Sequence, residues 1–110
     1  MKRPYNVTSH YILRQRERHA MFAAYRLKRK RDILLTIREL TPSNVLECST
    51  HELVANLSES GYSVNVRGLA SVLSVLASQG LIKGRSLAQR NLWSLTNRGK
   101  EWLRKNPTTS

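Results

Sequence analysis

Cysteine is nearly absent from this sequence, in which Cys48 is the single one among 110 residues. A lone cysteine cannot close an internal disulfide, which excludes a small disulfide-stapled scaffold and suits a reducing compartment. The usual role of such a residue is that of a small, half-buried apolar side chain. We therefore assign Cys48 no chemistry.

Long apolar runs are absent as well. No stretch approaches the roughly 20 apolar residues that span a bilayer, and residues 1–10, MKRPYNVTSH, lack the apolar run of a secretory signal. The hydrophobic content of 40% is still enough for one packed core in a chain of this length. We expect a soluble, cytoplasmic protein with one core and no membrane partner.

The sequence also contains no arrangement typical of catalysis or metal binding. It has no Gly-rich phosphate loop and no nucleophile spaced with a base. His10, His19 and His51 share no spacing and have no cysteine or acid cluster beside them, so a metal site is not predicted. We expect a protein that is not an enzyme and that needs no cofactor.

Acidic residues are scarce at both ends of the chain. The net charge is +12. Residues 1–31 contain ten basic residues (Lys and Arg) and one acidic residue, and residues 83–110 contain seven basic residues and one acidic residue. Residues 32–82, in contrast, contain two basic and five acidic residues. Clustered cations are the electrostatic signature of proteins that bind polyanions. A surface built only for solubility would mix the two signs. The segregation therefore favours a nucleic-acid partner.

Glycine and proline are missing between residues 8 and 40, which predicts helix in two pieces, about 9–30 and 31–40. An apolar stripe on the first piece needs a partner, either a second copy of the chain or the chain's own domain. The second piece is more hydrophobic and is typical of the first buried helix of a compact domain. The stripe consists of Leu13, Ala20, Met21, Ala24 and Leu27.

The middle of the chain predicts two capped helices joined by a short turn. After a loop with at most a short extended piece at 45–48, Ser49 begins a capping-box sequence, STHE. That helix ends near Gly61, and Asn65 caps a second helix that continues to Gly80. The core face of the second helix consists of Leu69, Val72, Leu73 and Leu76.

In the last third of the sequence, the spacing of apolar residues is no longer that of a helix. Short apolar runs around a basic, glycine-containing centre predict a β-hairpin with strands near 81–83 and 91–95 and a flexible tip. Thr96 then caps a last, basic helix. Trp93 and Trp102 fall within apolar patterns, so we expect them to pack on the domain rather than to stack on bases.

Two motifs frame the hairpin, ASQGLIKG at 77–84 and LWSLTNRGKEWL at 92–103. Together they resemble the segment of MarR-like and PadR-like winged-helix regulators in which the chain leaves the recognition helix through the wing. The resemblance covers about 32–105 and leaves the N-terminal arm unmatched. The matching residues are Gly80, Leu81, Ile82, Leu95, Thr96, Gly99 and Leu103.

The resemblance implies a mainly α fold with a small β-hairpin, of class α+β, namely a winged helix-turn-helix with an N-terminal helical extension. The matched region predicts a winged-helix domain at 32–105, while charge and helical pattern predict a basic helical arm at 1–31 and the polar terminus a disordered tail at 106–110. In such a domain the helix at 65–79 enters the major groove of duplex DNA. The wing at 83–91 contacts the backbone or the minor groove.

The same resemblance implies which residues contact DNA. On the recognition helix, Arg67 is able to contact guanine O6 and N7 bidentately. It is the one arginine among serines, alanine and valine, so shape and phosphate contacts should carry much of the affinity. The recognition-helix contacts are Asn65, Arg67, Ser71 and Ser74. The wing contacts are Lys83, Arg85, Gln89, Arg90 and Asn91. The basic arm adds Arg26, Lys28, Arg29, Lys30 and Arg31.

We therefore expect a sequence-dependent duplex DNA-binding protein, a small transcriptional regulator, with homodimerisation through the N-terminal helix as one option. It would be associated with the nucleoid, or would be nuclear in a eukaryote. In a eukaryotic protein, KRKR at 28–31 would also suit a nuclear import signal. A phosphate-binding or solvated helix face is the simpler interpretation of these four residues. The alternative is a protein-interaction or RNA-binding module of the same fold, because the arm is strongly basic and the recognition helix nearly neutral.

Overall fold

Four helices and three strands make up the part of the chain that the structure, a computed structural model, describes, residues 26–107. The chain divides into two units, Met1–Lys30 and Arg31–Ser110. Most of the helix predicted at 9–30 lies outside the described residues, and the predicted division between 30 and 31 is wrong, because one unbroken helix covers 26–40. The elements are α1 (26–40), β1 (Cys48–Ser49), α2 (Thr50–Glu59), α3 (Val66–Ser78), β2 (Ile82–Leu87), β3 (Arg90–Leu95) and α4 (Asn97–Lys105).

The strands form one antiparallel sheet in the order β1-β3-β2. Trp93 in β3 lies opposite Cys48 in β1 and opposite Gly84 in β2. The α+β class with a small β-hairpin is confirmed, but the third strand corrects the extended piece predicted at 45–48. Residues 45–47 have no regular structure and follow a turn in which the amide of Val45 donates to the carbonyl of Pro42 at 2.8 Å, and strand pairing starts only at Cys48.

The hairpin is longer and tighter than the predicted strands at 81–83 and 91–95 with a flexible tip. Pairing continues without interruption to Leu87 and Arg90. The two residues between them, Ala88 and Gln89, have φ angles of 50° and 65°. Positive φ at both central residues belongs to the type I′ turn, whose twist matches that of paired strands. The hairpin therefore closes in two residues.

Both middle helices begin at the predicted caps. The Ser49 hydroxyl accepts from the amide of Glu52, and the Glu52 carboxylate accepts from the amide of Ser49, each at 3.1 Å. Asn65 caps α3 by accepting from the amide of Gly68 at 2.7 Å. Gly61 has a φ of +96°, the left-handed conformation predicted for the end of α2. Local sequence signals therefore set the ends of both helices.

The core lies where the apolar faces of α1, α2 and α3 meet the inner face of the sheet. Trp93 is buried there, and its indole Nε1 donates to the hydroxyl of Thr50 at 2.8 Å. Trp102 is half-buried and packs against this core, as predicted. Gly84 lies flat against the Trp93 ring, and any Cβ at that position would overlap it. The buried apolar side chains are Ile33, Leu34, Ile37, Cys48, Leu53, Leu57, Leu69, Leu73, Leu76, Leu81, Ile82, Trp93 and Leu103.

The two sequence motifs meet where α4 packs against the end of α3. The Thr96 hydroxyl donates to the carbonyl of Gly80 at 2.6 Å and accepts from the amide of Gly99 at 3.0 Å. Gly99 sits directly on the carbonyl of Leu81, where a Cβ would overlap the backbone. The predicted cap at Thr96 is thus confirmed, and it also ties the helix to the chain leaving α3.

Further polar contacts hold α1 in place. The hydroxyl of Tyr62, in the turn between α2 and α3, donates to the carboxylate of Asp32. Arg31 donates through Nε to the carbonyl of Asn106 at 2.9 Å, and Asn106 ends α4.

Residues 108–110 of the predicted tail lie outside the described part. None of the helices within 26–107 combines the length and apolar character that crossing a bilayer requires.

Candidate nucleic-acid interface

Helix α3 has one face in the core and the other in solvent. Leu69, Leu73 and Leu76 are buried and fix its orientation, with a spacing of three and four residues that lines up one side of a helix. The four side chains predicted to contact DNA are all exposed on the other side, and they are Asn65, Arg67, Ser71 and Ser74. The helix therefore presents these polar side chains to solvent, together with Val75, which is 54% exposed.

The polar groups on this surface are partly used by the helix itself. Asn65 is occupied as the N-cap. Ser71 and Ser74 donate to the carbonyls of Arg67 and Ala70, at 3.4 and 3.0 Å, which leaves their oxygens free to accept. The guanidinium of Arg67 forms no hydrogen bond or ion pair with any other residue in 26–107. It is the cation that α3 offers to a ligand.

A groove separates α3 from the hairpin, and it brings some of the predicted residues together. Ser74 and Ala77 line it from α3, and Arg85 and Asn91 line it from the hairpin. Trp93 forms part of the same lining. Two of the predicted contacts, Ser74 on the helix and Asn91 on the hairpin, thus share this surface, while Arg85 also lines the groove on the other face of the strands, where its side chain meets Glu47.

Arg85 is not a free cation. Its Nε and Nη2 donate to the two carboxylate oxygens of Glu47 at 2.6–2.8 Å. These hydrogen bonds hold the pKa of Glu47 below its ordinary value and raise the pKa of Arg85. A bidentate pair of this kind has directional hydrogen bonds as well as charge attraction. The charge that Arg85 offers to a phosphate is therefore largely compensated within the domain.

The remaining predicted wing residues lie on other surfaces. Side chains alternate across a strand, so Lys83 faces away from Gly84 and the Trp93 ring and lines a separate groove beside α1 and α4. Arg90 lies with His51 and Glu52 near the start of α2. Gln89 is exposed in the turn. The hairpin cations therefore do not gather in the groove between α3 and the hairpin.

The basic arm is described only from residue 26. Arg26 and Lys28 are exposed, while Arg29 and Lys30 are half-buried. Arg31 belongs to the second unit, and its Nε is engaged by the end of α4. Four of the five predicted arm contacts therefore belong to the first unit, and the fifth helps to hold α1 to α4.

One cation beside α3 was missed from the sequence. A Cβ added to Gly80 would lie 3.4 Å from both Cδ and Nη1 of Arg98, so this arginine lies at the C-terminal end of α3. A cation is favourable there because the helix dipole is negative at that end. No direct signal for this position exists in the sequence, because Gly80 and Thr96 belong to two separate motifs and only the folded contact between them brings Arg98 to the end of α3.

Neither the search against protein-family models nor the search of curated proteins gave a match. Within residues 26–107, no three His, Cys, Asp or Glu side chains are grouped so that they could hold a metal ion. The chemistry of this surface is thus that of a few polar groups and cations on a helix and a hairpin.

Proposed function

We propose that residues 32–105 form a winged helix that binds duplex DNA, and that the protein is a small transcriptional regulator. In this proposal α3 enters the major groove and the hairpin serves as the wing. The observation that carries it is the shared groove, in which Ser74 of α3 and Asn91 of the hairpin line one surface. A helix face and a β-hairpin side by side suit a duplex, because the major groove admits the helix while the hairpin reaches the backbone.

The proposal assigns base reading to Arg67. Its guanidinium is exposed and forms no pair within the described residues, and guanine O6 and N7 suit its two parallel donors. The serines and Asn91 would supply hydrogen bonds to phosphates and sugars, which position the protein without reading sequence. Arg98, at the end of α3, is an additional phosphate contact.

Homodimerisation is a separate part of the proposal. Leu27 is 43% exposed at the described end of the apolar stripe, and its other members lie outside the described residues. Two-fold symmetric regulators bind two half-sites with two such domains. Sedimentation velocity of the wild-type chain tests this part, and a monomer at working concentration would remove it.

The experiment that tests DNA binding compares Arg67→Ala and Arg90→Ala on one selected and one scrambled duplex at several salt concentrations. Arg67→Ala should cost ~1–3 kcal/mol on the selected duplex and much less on the scrambled one, since a base contact discriminates and a phosphate contact does not. Arg90→Ala should weaken both equally and make the salt slope shallower by about one unit.

Arg85→Ala is expected to change binding less than Arg90→Ala, because Glu47 already compensates the Arg85 charge. Equal losses on both duplexes for Arg67→Ala would show that α3 does not read bases. No detectable duplex binding at low salt, or a wide preference for structured RNA, would replace the regulator by the RNA-binding alternative.

A further inference from the structure

A second groove lies on the outer face of the sheet, where Lys83 and Ser94 project away from the Trp93 side. The end of α1, the loop at 41–47 and the start of α4 form its walls, and we refer to it as the outer groove. Its volume of about 520 Å³ is in the range of sites that bury a ligand or a side chain. Its lining residues include Arg38, Val45, Leu46, Glu47, Lys83 and Lys100.

The outer groove is positively charged. Arg38 and Lys100 are exposed and form no ion pair with other residues of 26–107. Lys83 helps to lower the pKa of Glu47 but forms no ion pair with it. Glu47 is the acid of this lining, and Arg85 holds both of its oxygens. Three cations therefore remain to attract a ligand.

The outer groove also has an apolar edge. Leu46 is 80% exposed and Val45 is 39% exposed, although both are large apolar side chains. Neighbouring exposed apolar residues beside a ring of charges are typical of a protein-binding surface rather than of a solvated loop. The ion pair between Glu47 and Arg85 connects the end of this loop, directly after Leu46, to β2.

We propose that the outer groove docks an acidic peptide segment of a partner protein that carries at least one large apolar side chain. Carboxylates of the segment pair with Arg38, Lys83 and Lys100, and the apolar side chain covers Leu46. A nucleic-acid backbone would complement the cations but would leave the exposed leucine without an apolar partner. Charge complementarity and the apolar edge together therefore favour a peptide.

Occupation of the outer groove leaves α3 free. Lys83 and Ser94 lie opposite each other on one face of the hairpin, and Gly84 and Trp93 lie opposite each other on the other face, toward α3. A partner bound at the outer groove would thus not cover Arg67. The inference does not depend on DNA binding, because it rests on a different face of the sheet.

The test uses the full chain and a fluorescein-labelled peptide of twelve residues, all glutamate except for two leucines four positions apart. Fluorescence anisotropy gives the affinity, and amide chemical shifts of the ¹⁵N-labelled protein locate the site. Shifts are expected around Leu46, Ser94 and Lys100, and not around Arg67. Lys100→Glu should weaken binding about fivefold or more, because reversal removes one charge attraction and adds one repulsion.

Two further variants separate this site from general attraction to a basic protein. Leu46→Ser should weaken binding about threefold or more while leaving the net charge unchanged. Arg67→Glu makes the same charge change as Lys100→Glu on the α3 face and should weaken binding less than about twofold. All three positions are exposed, and thermal unfolding by circular dichroism checks that each variant is folded.

Several results would overturn the proposal. The peptide could fail to bind, Arg67→Glu could weaken binding as much as Lys100→Glu, or an all-glutamate peptide without leucines could bind equally well. If a single-stranded RNA of twelve nucleotides produced the shifts at Leu46 and Lys100 with higher affinity than the peptide, the outer groove would be a nucleic-acid site instead.

Discussion

Because Gly99 has no side chain, the backbone of α4 lies directly against the backbone of Leu81. The first turn of α4 rests on the carbonyl of Leu81, which also accepts from the amide of Thr96 at 3.2 Å. The Thr96 hydroxyl bonds on both sides of this junction. The glycine and threonine of the motif are therefore explained by packing alone, whatever the domain binds.

Gly99→Ala is expected to destabilise the protein, although alanine is the better helix former by about 1 kcal/mol. The new Cβ would overlap the Leu81 carbonyl, so α4 must shift, and we expect a net loss of about 1–3 kcal/mol. Urea unfolding measures it. Lys100→Ala, at the adjacent exposed position of the same helix, is the control and should change stability by less than ~0.5 kcal/mol. A stabilised Gly99→Ala protein would mean that this junction is looser than described.

Cys48 illustrates how much of a residue's structural role can be predicted from the amino-acid composition. Its thiol is fully buried between β3 and α2, and burial raises its pKa to about 12. Since the thiolate is the reactive form, the thiol stays protonated and inert at neutral pH. The sequence predicted a small, half-buried apolar side chain; the packing role is confirmed, but half-burial was wrong, because the extent of burial depends on which strand pairs with Cys48.

Helices α2 and α3 were predictable because their start signals are local. Ser49 and Asn65 each satisfy an amide three residues away, so the sequence alone contains the geometry. The hairpin was not predictable to the same degree. Its two-residue turn uses Ala88 and Gln89 at positive φ, where Asn-Gly would have been the usual signal. Its register places Gly84 opposite Trp93, a contact that only the folded sheet creates.

Substitutions at Asn65 separate helix capping from the contact with DNA that we propose for α3. Aspartate caps as well as asparagine and suits the positive end of the helix dipole, so Asn65→Asp should keep stability within ~0.5 kcal/mol of the wild type. The added negative charge would face phosphates, so duplex binding should fall roughly three- to tenfold. Calorimetry and anisotropy on the same samples measure the two effects.

The matched variant is Asn65→Ala, which removes the cap without adding charge. It should cost about 0.5–2 kcal/mol in stability and change binding less than Asn65→Asp does once the fraction folded is taken into account. Unchanged affinity for Asn65→Asp would place DNA away from the start of α3 and contradict the major-groove assignment.

Charge over the entire chain predicted a polyanion partner but not which cations face it. The exposed positions of α3 followed from helical periodicity, so Arg67 was correctly placed on a free surface. The hairpin cations were not separable by sequence, because contacts with distant parts of the chain decide their surroundings. Arg85 meets an acid 38 positions earlier, Lys83 turns to the outer groove, and Arg90 lies beside α2.

The basic arm should contribute most of the salt dependence if it binds phosphates. Replacing Arg26, Lys28, Arg29 and Lys30 by glutamine in the full chain should make the slope of log affinity against log salt shallower by about 0.9 for each phosphate that is no longer neutralised. Titration of duplex DNA between low and physiological salt measures this slope. Selected and scrambled duplexes should be weakened alike, since phosphate contacts carry no base information.

The control for the arm variant neutralises Arg38 and Lys100, two cations of the outer groove, on the sheet face opposite α3. If α3 and the hairpin hold the duplex, this variant should keep the wild-type slope to within about half a unit, because charges beyond the Debye length of ~8 Å are largely screened. A slope unchanged by the arm substitutions but reduced by the Arg38 and Lys100 substitutions would reverse the arrangement. The duplex would then lie on the outer face of the sheet, and α3 would be the surface left for another partner.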